Sequence, residues 1–556
     1  MNKNPNNYIP LDADKFIDII EGKDDNYTLP QRANPKMGLA SMNKALEAAG
    51  QEPFCTIYIP NSDLRQQGWR EQKAYSGQYT TANRPDPNEP FVYKILAPVA
   101  WYRGINSSTG EGTKPVLTCG IDLQECEFEG QFFIYKVVST KEIQLFLCDF
   151  LSQQINGVAT ETGFTITSSS FKTVSLLGNK GYNKGEEVPI KKIKFTDLET
   201  DSVVLNGMKV DELYIGGREG SIKSLSIANC DISTLYIGDT EFESVSIINT
   251  TINNSFTVNG NVKFFSLMGS TPLEKEVYHI EKFNLILSEQ SNKGEYFIRG
   301  ATIAKLEMGG VNNGKIIIAD NEIRKIVFDD LTNTGDLKLH DIRQINILSM
   351  KDSSMGKSEF SNIDLSSTTH VEVVDSNLSD IVLMNTVFPK YLVGSSKGDY
   401  KGIREAFRQL KFVSGKQGNR IQELAYEACE MDAYQKDKKA KKTADEKSIL
   451  FLNKITNNHG QSWTRALLCL LVTIPLFMAI KLVFGNTYAW GLNSAEVGQY
   501  LEFAVNPLHN FDILFKEELR INPAAMGSAK ILDIVSKLIE GFILFQLVRA
   551  FRKYVK

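Results

Sequence analysis

The stretch SIKSLSIANCDISTLYIGDTEFESVSIINTTI, residues 221–252, decides how this chain folds. An apolar side chain returns at every fifth residue: Ile222, Ile227, Ile232, Ile237, Phe242, Ile247 and Ile252. An α-helix repeats every 3.6 residues and a flat strand every two, so neither produces this beat. Five-residue faces stacked into coils do, and they predict a solenoid.

The pattern extends in both directions. Apolar-x-apolar triplets begin at Phe164/Ile166 and Val174/Leu176 and run through Phe265/Leu267. They resume at Phe283/Leu285 and continue through Ile345/Ile347, Val371/Val373 and Ile381/Leu383. Gly, Asn, Asp and Ser fill the gaps, as short strands joined by turns require. A β-sandwich would ask for variable strand lengths and longer connections, and would leave the five-beat unexplained. The stretches 178–189 and 268–282 break the beat and read as loops. GNKGYNK (178–184), rich in Gly and Lys, reads as part of such an insertion rather than as a phosphate cradle.

These repeats resemble the pentapeptide-repeat family, which places a large apolar residue at the centre of each five and a small one two positions before. Ile232 with Cys230, Phe242 with Thr240 and Ile252 with Thr250 fit, whereas Leu225, Leu235 and Val245 are large where that family is small. The resemblance implies a mainly β chain built on a right-handed parallel β-solenoid, and the bulky positions imply a wider or flatter coil. Residues 1–115 are expected to cap the solenoid or recruit a partner, and 116–397 to form it.

After residue 398 the apolar spacing changes to helical: Ile403, Phe407 and Leu410, then Ile421, Leu424, Ala428 and Met431. The basic run KDKKAKK (436–442) follows, read either as a solvated linker or as attraction to anionic lipid. Ala466–Phe484 is then apolar apart from Lys481 and covers roughly 28 Å as a helix, close to a bilayer core. Ile531–Val548 is a weaker second candidate because it carries Asp533, Lys537, Glu540 and Gln546. The segment between them includes Tyr488 and Trp490, suited to an interfacial belt, and 497–515, read as interfacial or re-entrant.

FRQLK (407–411), EACEMDAY (427–434), GQSW (460–463) and QLVRAFR (546–552) occur in order. Together they resemble the tail of bacterial membrane proteins that carry pentapeptide repeats. That resemblance implies a helical connector over 398–462 and a module of two transmembrane helices over 463–556, anchored in a bacterial cytoplasmic membrane. Trp463, Arg465, Arg549, Arg552 and Lys553 are the expected anchors; by the positive-inside rule they keep both termini and the solenoid cytoplasmic.

Asp533, Lys537 and Glu540 share one helix face by their spacing. A charge at the depth of Glu540 costs about 3 kcal/mol in a bilayer. Three readings follow: Glu540 pairs with Lys537 at a helix–helix contact, several copies build a pore or gate around it, or the helix lies on the surface.

Catalytic chemistry is not signalled. The five histidines lie apart from metal-ligand partners, and no phosphate-loop, nucleophile-elbow or zinc-protease motif occurs. No enzyme, metal or cofactor is expected. A net charge of −4 gives no electrostatic case for nucleic acid, and seven scattered cysteines without a C-x-x-C read as reduced thiols. The N-terminal residues 1–16 contain no apolar signal segment. The leading expectation is a membrane-anchored solenoid that presents its surface to a cytoplasmic protein partner, as a homo-oligomer. The alternative is an oligomeric membrane effector or channel gated by its cytoplasmic part, in a setting such as bacterial defence.

Overall fold

A computed structural model of the protein describes residues 190–218, 220–259, 261–269, 279–287, 293–484 and 526–552. Before residue 190 it describes only short strands, with side chains at 164–167 and 173–176. The protein is mainly β, a solenoid of parallel strands followed by helices. Its strands form two long parallel sheets, of 14 and 13 strands, and consecutive strands alternate between them.

The ten-residue unit explains this architecture. In the strands Ser221–Ala228, Asp231–Gly238 and Glu241–Ile248 the second, fifth and seventh residues point inward. The five-beat supplies the second and seventh: Ile222, Ile227, Ile232, Ile237, Phe242, Ile247 and Ile252 are all at most 2% exposed. The fifth position holds Leu225, Leu235 and Val245, also buried. A bulky residue there lets one long strand run through two beats, so the coil is flattened into two sheets.

Each strand ends in a left-handed residue, Asn229 (φ 53°), Asp239 (φ 56°) and Asn249 (φ 48°), the residue types that tolerate this turn best after glycine. A small buried side chain then tucks under the coil. Thr240 Oγ1, for example, donates to the Gly217 carbonyl at 2.7 Å.

Successive coils stack like on like. Ile222 sits in register with Phe242, Leu225 with Val245 and Ile227 with Ile247. Phe256 stacks on Phe283 with ring centroids 4.5 Å apart. Each buried aliphatic or aromatic side chain contributes roughly 1.5–3 kcal/mol. Buried asparagines close the hydrogen bonds that the turns leave open. Asn321 accepts from the Ala301 amide at 2.9 Å and donates to the Ile298 and Ala319 carbonyls at 2.8 Å. Parallel strands also occur before residue 116: Tyr8–Leu11 pairs with Val92–Ile95, and Phe54–Ile57 with Gly120–Gln124.

A second five-residue beat lies further along the chain. Ile345, Met350, Met355, Phe360 and Leu365 are all buried, and the small residues Ser353 and Ser358 are buried two positions before Met355 and Phe360. Ser376 before Leu378 and Thr386 before Phe388 repeat the arrangement. Strands here shrink to three residues, as at Glu359–Ser361. The sequence triplet Ile345/Ile347 is corrected by one residue. Gln344 turns the chain (φ 63°), the strand is Ile347–Lys351, and Leu348 and Met350 point inward.

The chain divides into two compact units. One contains residues up to Ser349 with Ser353–Asp364 and Met384–Thr386; the other contains Met350–Asp352, Leu365–Leu383 and everything from Val387. In the second unit, helices α1 (Tyr400–Lys416) and α2 (Arg420–Lys436) bind the exposed backbone of its strand segments. The Leu378 amide donates to Gln409 Oε1 at 2.6 Å and the Phe388 amide to the Tyr426 hydroxyl at 3.0 Å. The Gln417 side-chain amide donates to the Leu383 carbonyl at 3.1 Å and accepts from the Leu383 amide at 2.9 Å. Helices thus cover backbone groups that would otherwise form a raw sheet edge.

Phe407, Leu410 and Ala428 are buried as their spacing predicts, but α2 otherwise faces differently: Ile421 is exposed, and Tyr426, Glu430 and Ala433 turn inward. Tyr426 must face inward for its hydroxyl to reach Phe388. Burial pushes that hydroxyl's pKa up to about 12, so it stays protonated.

Candidate functional site: an inverted helical hairpin

Among the described residues three further helices follow: α3 (Ala444–Asn457), α4 (Trp463–Phe484) and α5 (Met526–Phe551). Thr443 opens α3 with a capping box, its side chain accepting from Glu446 while the Glu446 carboxylate accepts from the Thr443 amide. The chain then turns sharply through Asn458, His459 and Gly460, all with positive φ (51°, 55° and 88°). Ser462 caps α4, its hydroxyl accepting from the Arg465 amide at 3.2 Å.

Helices α4 and α5 pack antiparallel with their chain-outer ends together. Trp463, at the start of α4, stacks on Phe551, at the end of α5, with centroids 5.6 Å apart. At the same end, Asn457 Nδ2 donates to Gln546 Oε1 at 2.6 Å and to the Gln546 carbonyl at 3.1 Å. Gln546 Nε2 donates in turn to Asn453 Oδ1 at 2.8 Å. Arg549 reaches Glu427 on α2 at 3.2 Å, and Asp432 on α2 holds Lys454 on α3 at 2.5 Å.

The hairpin is apolar outside, and α5 turns a mostly polar stripe inward. On α5 the buried residues are Asp533, Ser536, Glu540, Ile543, Gln546 and Ala550, spaced three or four apart along one stripe. The opposite face exposes Ile531, Ile534, Leu538, Phe545 and Val548, each at least 57%. On α4, Leu468, Leu471, Val472 and Leu476 are exposed while Ala466 and Ile474 turn inward. Trp463–Ile480 is the one stretch among the described residues long and apolar enough to cross a bilayer. Its mean hydropathy is 1.9, and only 6% of it is buried within the protein. By the same composition test Ile531–Val548, with its three charges, does not qualify.

Asp533 is 2% exposed and lies 2.9 Å from Lys537 Nζ, one turn further along. Lys537 thus pairs with Asp533 along this stripe. Glu540 is buried on the same stripe, 5% exposed. Ser536 donates to the Asp533 carbonyl at 2.9 Å. A buried ion pair contributes little net stability, but losing one partner leaves the other charge stranded.

The expected anchors separate into two groups. Trp463 ties the two hairpin helices together through Phe551 and Arg549 ties the hairpin to α2, whereas Arg465 and Arg552 are exposed at the same end. Lys553, Tyr488, Trp490 and the segment 497–515 lie outside the described residues. Sequence reasoning missed Asn453, Asn457, Glu427 and His459. The i,i+4 spacing of the two asparagines on α3 was the available signal. His459 is buried, its Nε2 has no hydrogen-bond partner among the described residues, and burial pulls its pKa below the usual imidazole value. Among the described residues no group of three His, Cys, Asp or Glu side chains is placed to hold a metal ion.

Comparison with family models, curated proteins and solved structures gave no match.

Proposed function

We propose that this chain is a membrane-anchored interaction protein. Its solenoid presents a repeating surface to a protein partner, and the α4–α5 hairpin tethers it to a bilayer. One observation carries the reading: the hairpin buries Asp533, Glu540 and Gln546 while exposing leucines, isoleucines and Phe545. In water that arrangement is inverted, because soluble helices turn their apolar face to the core. In a bilayer it is the expected one, since intramembrane polar residues face the bundle interior. Two spans follow from this reading, α5 crossing with its charges turned away from lipid.

The antiparallel packing places the residues before α4 and those after α5 on one side. Arg465, Arg549 and Arg552 cluster there, so the positive-inside rule assigns that side, and the solenoid with it, to the cytoplasm.

A binding role for the solenoid is supported by its outward rows. Tyr214 and Tyr236 stack in parallel with centroids 4.8 Å apart, and Lys194 Nζ sits 5.7 Å from the Tyr214 ring. On the other sheet Phe264 and Met268 are exposed at 43% and 47%, and Phe264 lies 5.6 Å from Phe297. Aromatic and Met side chains on a rigid surface are what protein interfaces enrich.

The test is membrane fractionation followed by capture. The full chain should stay with membranes through an alkaline carbonate wash, and release by that wash would overturn the anchoring. The tagged chain in detergent should retain a defined partner that a Tyr214→Ala/Tyr236→Ala variant loses. Equal capture by the variant would remove this face from the reading.

A further inference from the structure

The basic run at 436–442 and the helix after it remain unassigned by the hairpin. The run is folded rather than loose. Asp437 is buried and its Oδ1 accepts from the amides of Lys439 and Ala440 at 2.9 and 3.3 Å. Lys442 is held back, its Nζ donating to the Gln435 and Asp437 carbonyls and lying 5.0 Å over the Tyr434 ring. Lys438, Lys439 and Lys441 project into solvent.

Helix α3 is inverted like the hairpin. Asn453 and Asn457 face Gln546, while Phe451, Leu452 and Ile455 are 55%, 44% and 51% exposed along one face. Its position along the hairpin is fixed at two points. The Ile455 carbonyl approaches Cys469 Sγ at 3.9 Å, two turns inside α4, and Asn457 meets Gln546 near the end of α5. This is the end that carries Arg465, Arg549 and Arg552, the level at which a spanning hairpin leaves the hydrocarbon.

We infer that α3 is an in-plane membrane helix: its Phe451–Leu452–Ile455 face enters the headgroup boundary of an anionic bilayer, and Lys438, Lys439 and Lys441 bind the anionic headgroups. The inference rests on the anchoring proposed above. Two features select lipid as the occupant. The apolar face lies on a helix whose Ile455 carbonyl meets Cys469 on α4, itself exposing Leu468, Leu471 and Val472, and the adjacent exposed charges are positive apart from Asp445 and Glu446 in the first turn of α3. An apolar helix face flanked by lysines is the composition that binds anionic interfaces.

The test uses the full chain in lipid nanodiscs, with a Phe451→Trp variant read against the parent protein. Lipids brominated close to the headgroup should quench the introduced indole more than lipids brominated deep in the chains. The quenching should be stronger with phosphatidylglycerol than with phosphatidylcholine alone. Adding Lys438→Glu, Lys439→Glu and Lys441→Glu should remove the phosphatidylglycerol increment.

An unquenched indole overturns the inference and means that a second copy or another segment of this chain covers the face. Equal quenching in both lipids, or an increment that survives the triple substitution, overturns the anionic recognition. Retention through an alkaline carbonate wash is scored separately on vesicle-reconstituted protein. A chain that washes off fails the anchoring itself, whereas one that is retained but unquenched fails only the placement of α3.

Discussion

Asn457 and Gln546 are 89 positions apart in the chain, and their side-chain amides meet at 2.6 Å, with a second bond from Asn457 to the Gln546 backbone at 3.1 Å. Asn457 is fully buried and Gln546 is 2% exposed. Asn457 also accepts from the Gly460 amide at 2.8 Å, so one side chain fixes both the left-handed turn and the end of α5. Removing it strands buried polar groups, which costs about 1–3 kcal/mol. Asn457→Ala and Gln546→Leu should each lower the thermal midpoint of the detergent-solubilised protein. The double variant should lose less than the sum. Strict additivity would show that the pair does not act together.

Glu427 and Arg549 form the second tie, at 3.2 Å, with side chains 30% and 34% exposed. Partial exposure limits the value of this pair to about 1 kcal/mol or less. Arg549→Glu should destabilise the helical unit through repulsion with Glu427, and adding Glu427→Arg should restore most of the loss. A double variant no more stable than Arg549→Glu would remove the pairing as the cause.

The solenoid was legible because its signal is repetitive and local. Ile222 through Ile252 announce the coil without any knowledge of what each side chain touches. The flattening into two sheets was legible only in outline, since Leu225 and Leu235 show that the coil is wide but not how its strands run. The later beat at Met355 and Phe360 is less legible because Ser353 and Ser358 stand where an apolar-x-apolar triplet would have its first member. In the helical unit the polar residues of α5 were visible, but their partners were not. Asn457 and Glu427 are distant in sequence, and hydrophobic periodicity says nothing about which polar side chains meet.

Coil stacking makes a sharper prediction inside the solenoid. Phe256 is fully buried and stacks on Phe283 at 4.5 Å. Phe256→Ala should cost about 3–5 kcal/mol, since a rigid stack cannot collapse around the gap. Because each coil contacts mainly its neighbours, the loss should be local. Hydrogen exchange should quicken in the strands Thr251–Asn259 and His279–Leu287 before it changes near Phe360. Uniform acceleration along the solenoid would contradict this.

His459 gives the helical unit a pH dependence. It sits in the left-handed turn between α3 and α4, buried, with Nε2 unpartnered among the described residues. Desolvation is the main force lowering its pKa; Lys454 and Arg549 lower it further, and Asp432 opposes them. The unfolded imidazole titrates near its ordinary value of about 6.5, so the unfolded chain takes up a proton first as pH falls. The neutral ring's contribution is therefore fully present above about pH 6.5 and declines below it, until the folded pKa is reached. The thermal midpoint in detergent should fall as pH drops from neutrality toward 5. His459→Asn, which keeps a residue suited to positive φ and cannot titrate, should flatten that fall. A variant whose midpoint follows the parent's through the same window would show that the acid sensitivity arises elsewhere.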